Sequence, residues 1–213
     1  MADSTRPRQV AVAVTLHVRD GRLRVLLDGR RPGALPGGPL HRGETLEACV
    51  RRHVEEDALA HLEQLETRSD PDRNPGTWEL ATAYLGLVPS DIEVDGDWHP
   101  IARLPRLVAD HGAIVFAARA RLRAKLSYTN IGFALAPRTF TISELREIYV
   151  AALGHDVSAT NLQRVLVRRG VLVPTGEHRS PGRTGGRPAA VFRFSTRKIE
   201  ITDQFGFLRP PGV

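Results

Sequence analysis

The sequence predicts a two-domain α/β protein. A mixed sheet flanked by helices occupies residues 1–126, and a smaller domain of two helices and a hairpin occupies residues 127–213. Apolar runs at Val10–Val18 and Trp78–Val88 read as buried strands. From Ser127–Pro137 onward the pattern changes to short capped helices and a Gly-, Pro- and Arg-rich loop. Charge divides in the same place. Residues 1–126 hold 18 Arg/Lys against 18 Asp/Glu, while residues 127–213 hold 12 against 6, so the whole net +6 follows Leu126. A basic module joined to a neutral one implies that the tail meets a polyanion.

Each element follows from local chemistry. Val10–Val18 and Leu23–Leu27 flank Arg19-Asp-Gly-Arg22, a hairpin signal. Arg30–Gly38 reads as a loop from its Gly and Pro content, and Glu44–Leu59 as a helix with an acidic start suited to the helix dipole. Trp78–Val88 is a further strand and Pro89–Asp97 a polar turn region. Asp110–Leu126 is helical, with Ile114, Val115, Ala118 and Leu122 as its apolar stripe and Arg119, Arg121, Arg123 and Lys125 as a solvated face. Thr141 and Glu144 form a capping box for a helix that ends at Gly154, with Phe140 and Leu145 as a hydrophobic staple. A second helix runs from Ser158 to Gly170 on Leu162, Val165 and Leu166. Val171–Val173 and Ala190–Phe194 then flank the loop Pro174–Pro188. Two helices and a hairpin in this order make a winged helix-turn-helix.

Composition excludes several classes. No stretch approaches the roughly 20 apolar residues of a membrane span. Cys49 is the only cysteine, so no intrachain disulfide exists and a reducing cytoplasm is expected. The eight His residues fall into no paired metal-ligand spacing, and no metal site is expected.

The most informative stretch is Gly38-Pro-Leu-His-Arg-Gly-Glu44 followed by Arg52-His-Val-Glu-Glu-Asp-Ala-Leu59. Its spacing resembles a Nudix box, in which Gly, Glu and Arg-Glu-x-x-Glu-Glu-x-Gly stand at these intervals. Here His53 replaces a Glu, Asp57 replaces a second Glu, and Leu59 replaces the closing Gly. Phosphoanhydride hydrolysis needs Mg²⁺, a hard ion that prefers oxygen donors, and a helix with Glu at i, i+3 and i+4 would supply them. With His53, Glu56 and Asp57 in those places, the expectation is a binder and not a catalyst. Glu44 and Arg52 are expected to brace the loop against the helix. The rival reading is an active Nudix hydrolase that uses Glu56 and Asp57, with the winged helix as an accessory.

The likeness extends through His61–Thr67, Pro71–Pro75, Ala83–Val88 and Asp110–Ile114, which resemble ADP-ribose-type Nudix proteins. With Leu126–Ile131, Ala134-Leu135, Phe140–Leu145 and Asn161–Arg164, the chain resembles the NrtR family of Nudix-related transcriptional regulators. It departs at Gly33, where an aromatic is common. The resemblance implies a cytoplasmic homodimer that represses NAD-metabolism genes, binds double-stranded operator DNA and senses ADP-ribose or a related nucleotide as effector, with no required cofactor.

Candidate ligand residues are Arg30, Arg31, Gly37, Gly38, Arg73 and Glu56, because guanidinium groups in loops beside the box suit a pyrophosphate. For Arg30 and Arg31, a solvated surface role is the alternative. On the second helix of the C-terminal domain the outward set is Thr160, Asn161, Gln163, Arg164, Val167 and Arg168. Arg164 suits guanine, Asn161 or Gln163 adenine, and Thr160 a phosphate. The loop adds Arg179, Arg183 and Arg187, of which Arg183 and Arg187 are the expected backbone or minor-groove contacts. A non-specific basic module, or one that binds RNA, is the remaining alternative.

Overall fold

In the computed structural model, which describes residues 6–180 and 188–203, the first apolar run forms β1 (Arg8–Arg19). Asp20 and Gly21 both take positive φ, 52° and 65°, and return the chain as β2 (Arg22–Leu27). Two central residues with φ > 0 match the strand twist in a two-residue hairpin, and Asp and Gly tolerate that conformation. Residues 10–18 of β1 are buried throughout, as a strand covered on both faces requires.

Four further strands complete this sheet. β3 (Gly37–Pro39) pairs antiparallel with β1, so Gly37 and Gly38 belong to a strand and not to the expected loop. A Cβ at Gly37 would stand 2.3 Å from the Ala11 carbonyl oxygen, which explains why the chain can approach β1 only as glycine. β4 (His61–Arg68) is antiparallel to β5 (Glu79–Val88), which runs parallel to β1, and β6 (Asp97–Pro100) is antiparallel to β2. The order is β4-β5-β1-β2-β6, a mixed sheet.

The helix expected over Glu44–Leu59 is broken. α1 (Leu46–Arg51) is capped by the Thr45 side chain and stops at Arg52. Glu56–Ala58 forms a separate 3₁₀ turn. Continued as one helix, Glu55, Glu56 and Asp57 would have crowded its negative C-terminal end. Restarting the chain puts Glu56 and Asp57 in a first turn, where the dipole favours them.

α2 (His111–Tyr128) buries Ile114, Val115, Ala118, Leu122 and Leu126. Its four basic residues are half-buried and not the solvated face expected of them, and the exposed positions are Ala113, Phe116, Ala120, Ala124 and Ser127. Arg121 donates to the Leu65 carbonyl at 3.1 Å.

By its contacts the chain divides into two compact units. One holds Met1–His17, Leu23–Val88 and Glu93–Arg121, and the other Val18–Arg22, Pro89–Ile92 and Leu122–Val213. The boundary was expected around Ser127–Pro137, and α2 ends at Tyr128.

In the second unit β7 (Phe140–Thr141) leads into α3 (Ile142–Leu153), whose start carries the expected Thr141–Glu144 capping box and whose end is Gly154 at φ +74°. Phe140 and Leu145, the staple pair, are both fully buried. α4 (Ala159–Arg168) is capped by Ser158 and closed by Gly170 at φ +67°. The Gly170 and Val171 N–H groups there donate back to the Val167 and Leu166 carbonyls, a Schellman arrangement. β8 (Leu172–Arg179) and β9 (Ala189–Phe194) complete a sheet ordered β7-β9-β8. β8 continues past Val173 through a bulge between Pro174 and His178, so part of the predicted loop is strand.

Candidate functional site

The candidate site is a cleft of about 680 Å³ in the first unit. Its lining includes Arg30, Arg31, Gly37, Arg52 and His53, together with Asp28, Asp95 and Asp97, which the sequence reading did not single out. The volume is that of an ordinary small-molecule pocket.

Arg31 is built into the wall. Its Nε donates to Asp28 Oδ2 at 2.7 Å and its Nη2 to the Gly37 carbonyl at 2.6 Å. Asp28 also accepts from the Arg30 backbone N–H at 3.0 Å, which fixes the loop carrying both arginines. The signal for Asp28 was present in sequence, as an Asx residue before a Gly at a strand end.

At the box, Glu44 and Arg52 form the expected brace. Arg52 Nε and Nη2 donate to the two carboxylate oxygens at 2.9 and 3.0 Å, and Nη2 also reaches the Pro39 carbonyl at 3.2 Å. The Arg52 guanidinium, with the His41 N–H, holds the Glu44 carboxyl down at about 2. His53 packs on Gly38 so closely that a Cβ there would lie 2.8 Å from its Nε2. Burial first, then Arg52 and Arg31, pushes the His53 imidazolium below its ordinary range, so the ring is neutral near pH 7.

The other box acids stand elsewhere. Glu56 is exposed, pairs with Arg51 at 2.8 Å and does not line the cleft. Asp57 is exposed on the same 3₁₀ turn, off the helix that carries Arg51. The residues present do not fit the Mg²⁺ that the box implies. An imidazole replaces one oxygen donor, and the three positions no longer share a helix face. Among the described residues, no three His, Cys, Asp or Glu side chains group as a metal ion would need.

Arg73 corrects a candidate. Its side chain is 1% exposed, donates to Asp110 through Nη2 at 2.6 Å and through Nε at 3.2 Å, and pairs with Glu79 through Nη1. Those bonds engage all three guanidinium nitrogens, and Arg73 does not line the cleft, so it is a structural staple and not a pyrophosphate ligand. The neighbouring His111 accepts the Leu35 N–H on Nδ1 at 2.9 Å, and burial lowers its pKa and keeps it neutral. Gly33 sits at φ +75° with the Arg106 carbonyl 2.6 Å from the place of a Cβ, so an aromatic side chain has no room there.

On α4, Thr160, Asn161, Gln163, Arg164, Val167 and Arg168 are all exposed, while Leu162 and Leu166 are buried. Arg164 Nη2 donates to Asn161 Oδ1 at 2.6 Å, which holds the two side chains together on the outer face. Arg179 is engaged with Glu144 of the capping box, so it serves α3 rather than standing free on the hairpin. Arg183 and Arg187 lie outside the described residues.

Comparison with known proteins places both parts. A Nudix domain matches residues 7–118, and the NrtR DNA-binding winged helix domain matches residues 132–194. The chain is 28% identical to an ADPR responsive transcriptional repressor NtrR of Acinetobacter baylyi, over 94% of this chain and 87% of that one. The crystal structure of Shewanella oneidensis NrtR complexed with a 27mer DNA matches with a TM-score of 0.73 at 28% identity, covering 88% of this chain and 93% of that one. A MutT/nudix family protein from Enterococcus faecalis shares the fold at a TM-score of 0.68 and 21% identity, over 91% of this chain and 90% of that one. The chain therefore belongs to the Nudix family, and its C-terminal part is similar to the NrtR DNA-binding winged helix domain.

Proposed function

We propose that the chain is a transcriptional repressor that binds operator DNA through α4 and the β8–β9 hairpin, and senses ADP-ribose or a related nucleotide in the Nudix cleft without hydrolysing it. The observation that carries this is the outward face of α4, with Thr160, Asn161, Gln163, Arg164 and Arg168 exposed on an NrtR-type winged helix. Such a face offers base-reading and phosphate-binding groups to a major groove. The Acinetobacter relative is an ADPR responsive repressor, and the Shewanella relative was crystallised on DNA. Arg30 and Arg31 bring to the cleft the positive charge a diphosphate needs, and the dispersal of His53, Glu56 and Asp57 supports binding over turnover. The same reading includes a cytoplasmic homodimer acting on NAD-metabolism genes, because a two-fold protein reads a palindromic operator through two equivalent helices. Among the described residues no helix is long and apolar enough to cross a membrane. The test is a gel shift on the promoter beside its own gene, with and without ADP-ribose. A specific shift that ADP-ribose reverses supports the reading, and equal retardation of any duplex, indifferent to ADP-ribose, rejects it.

A further inference from the structure

Lys198–Asp203 is stitched to the end of α2 by a dense set of hydrogen bonds. Asn130, 1% exposed, donates through Nδ2 to the Lys198 carbonyl at 2.9 Å and accepts the Glu200 N–H at 2.7 Å. The Thr202 and Asp203 N–H groups both donate to the Tyr128 carbonyl, at 2.8 and 3.1 Å. Thr129 and Ile201 form a β-bridge. The segment ends at the recognition helix, where Asp203 Oδ2 accepts from Arg169 Nη2 at 2.8 Å, with the side chains 13% and 12% exposed.

Arg169 is the C-cap of α4, and it borders a groove of about 350 Å³ otherwise lined mainly by apolar side chains, among them Leu126, Tyr149, Leu162 and Leu166. A cation there is held by its partner more strongly than one in water, and it is not available to a DNA phosphate as Arg168 is. α4 buries Leu162 and Leu166 with Val165 partly buried between them, and the Arg169–Asp203 pair adds a polar tie at its C-terminal end. Reading base edges needs side chains held to within roughly 0.5 Å.

We propose that Asp203, acting through Arg169, is a positioning residue that sets the recognition helix for operator reading. The proposal rests on the operator-binding reading above. Asp203 touches no base. It fixes the end of α4 to the end of α2, so that Asn161, Gln163 and Arg164 present one geometry to the groove.

The test uses the full-length protein and fluorescence anisotropy on the promoter duplex and a scrambled duplex over a salt series. Asp203→Ala is expected to lower the operator-to-scrambled affinity ratio about tenfold, with scrambled-duplex affinity not reduced, because the phosphate contacts are untouched and the released Arg169 only adds positive charge. Asp203→Glu, and the exchange of Arg169→Asp with Asp203→Arg, should recover most of the preference. Should Asp203→Ala fail to fold by circular dichroism, Asp203→Asn replaces it with the same expectation. If a folded Asp203 variant keeps the full operator-to-scrambled ratio, or loses both affinities equally, the positioning role is wrong. If the wild type shows no operator preference at all, it is the operator-binding reading that fails.

Discussion

A Cβ on Gly38 would lie 2.8 Å from His53 Nε2, so the retained glycine and the altered box position are one packing arrangement. The motif spacing showed the substitution, but only the folded chain shows the neutral ring occupying the space beside Gly38. Glu44 carries a pH signature. Its carboxyl, held at about 2 against an ordinary 4.5, contributes stability that is fully present above about 4.5 and lost as pH falls toward about 2. Thermal melts of the wild type and Glu44→Gln should differ by a constant gap from pH 7 to about 4.5, and the gap should close by about pH 2. A gap that persists at the acid end would mean that the Arg52 pair is not what Glu44 contributes. Arg73 shows where residue-level reading failed. A guanidinium in a loop beside the box has the chemistry of a phosphate ligand, but its partners, Glu79 and Asp110, are 6 and 37 residues away in sequence. Arg73→Ala deprives Glu79 and Asp110 of their cation and should cost about 3–5 kcal/mol of unfolding free energy in urea titrations. Arg30→Ala, at an exposed cleft position, should change stability by less than about 0.5 kcal/mol and weaken ADP-ribose binding in calorimetry. Equal stability of Arg73→Ala and the wild type would remove the staple assignment.

Among the elements, those fixed by local chemistry were legible. The Thr141–Glu144 box, the Gly154 stop, the helix start near Ser158 and the buried stripe of α2 all follow from neighbours within one or two turns. Elements decided by distant contact were not. β3 needs β1 beside it, and the break after Arg51 depends on charge at a helix end competing with the periodicity of Glu44–Leu59. The half-buried arginines of α2 escaped for the same reason, since Arg121 is held by Leu65 and Glu63 of β4. For α4 the outward face was legible in full, because helix periodicity alone sorts Leu162 and Leu166 from Arg164. Arg164→Ala should cost about 1–3 kcal/mol on the operator and relax preference at one base position. Anisotropy over a panel of single-base operator variants measures it, and a loss spread evenly over all sequences would make Arg164 a phosphate contact instead.

For the whole molecule, the charge division was the most useful global signal, because the +6 lies wholly after Leu126 and does not depend on fold. Contacts assign Val18–Arg22 and Pro89–Ile92 to the same unit as the winged helix, and a linear reading has no means of joining segments so far apart. On the proposed function, the Nudix fold senses a nucleotide and leaves it intact. One time course tests it most directly: wild-type protein on fluorescent operator, with Mg²⁺ and a fixed amount of ADP-ribose, monitored for anisotropy while samples are assayed for remaining ADP-ribose. A sensor releases the operator and holds it released, with ADP-ribose undiminished over hours. Release followed by spontaneous rebinding, in step with ADP-ribose consumption that Glu56→Gln abolishes, would contradict the account and make the protein a hydrolase.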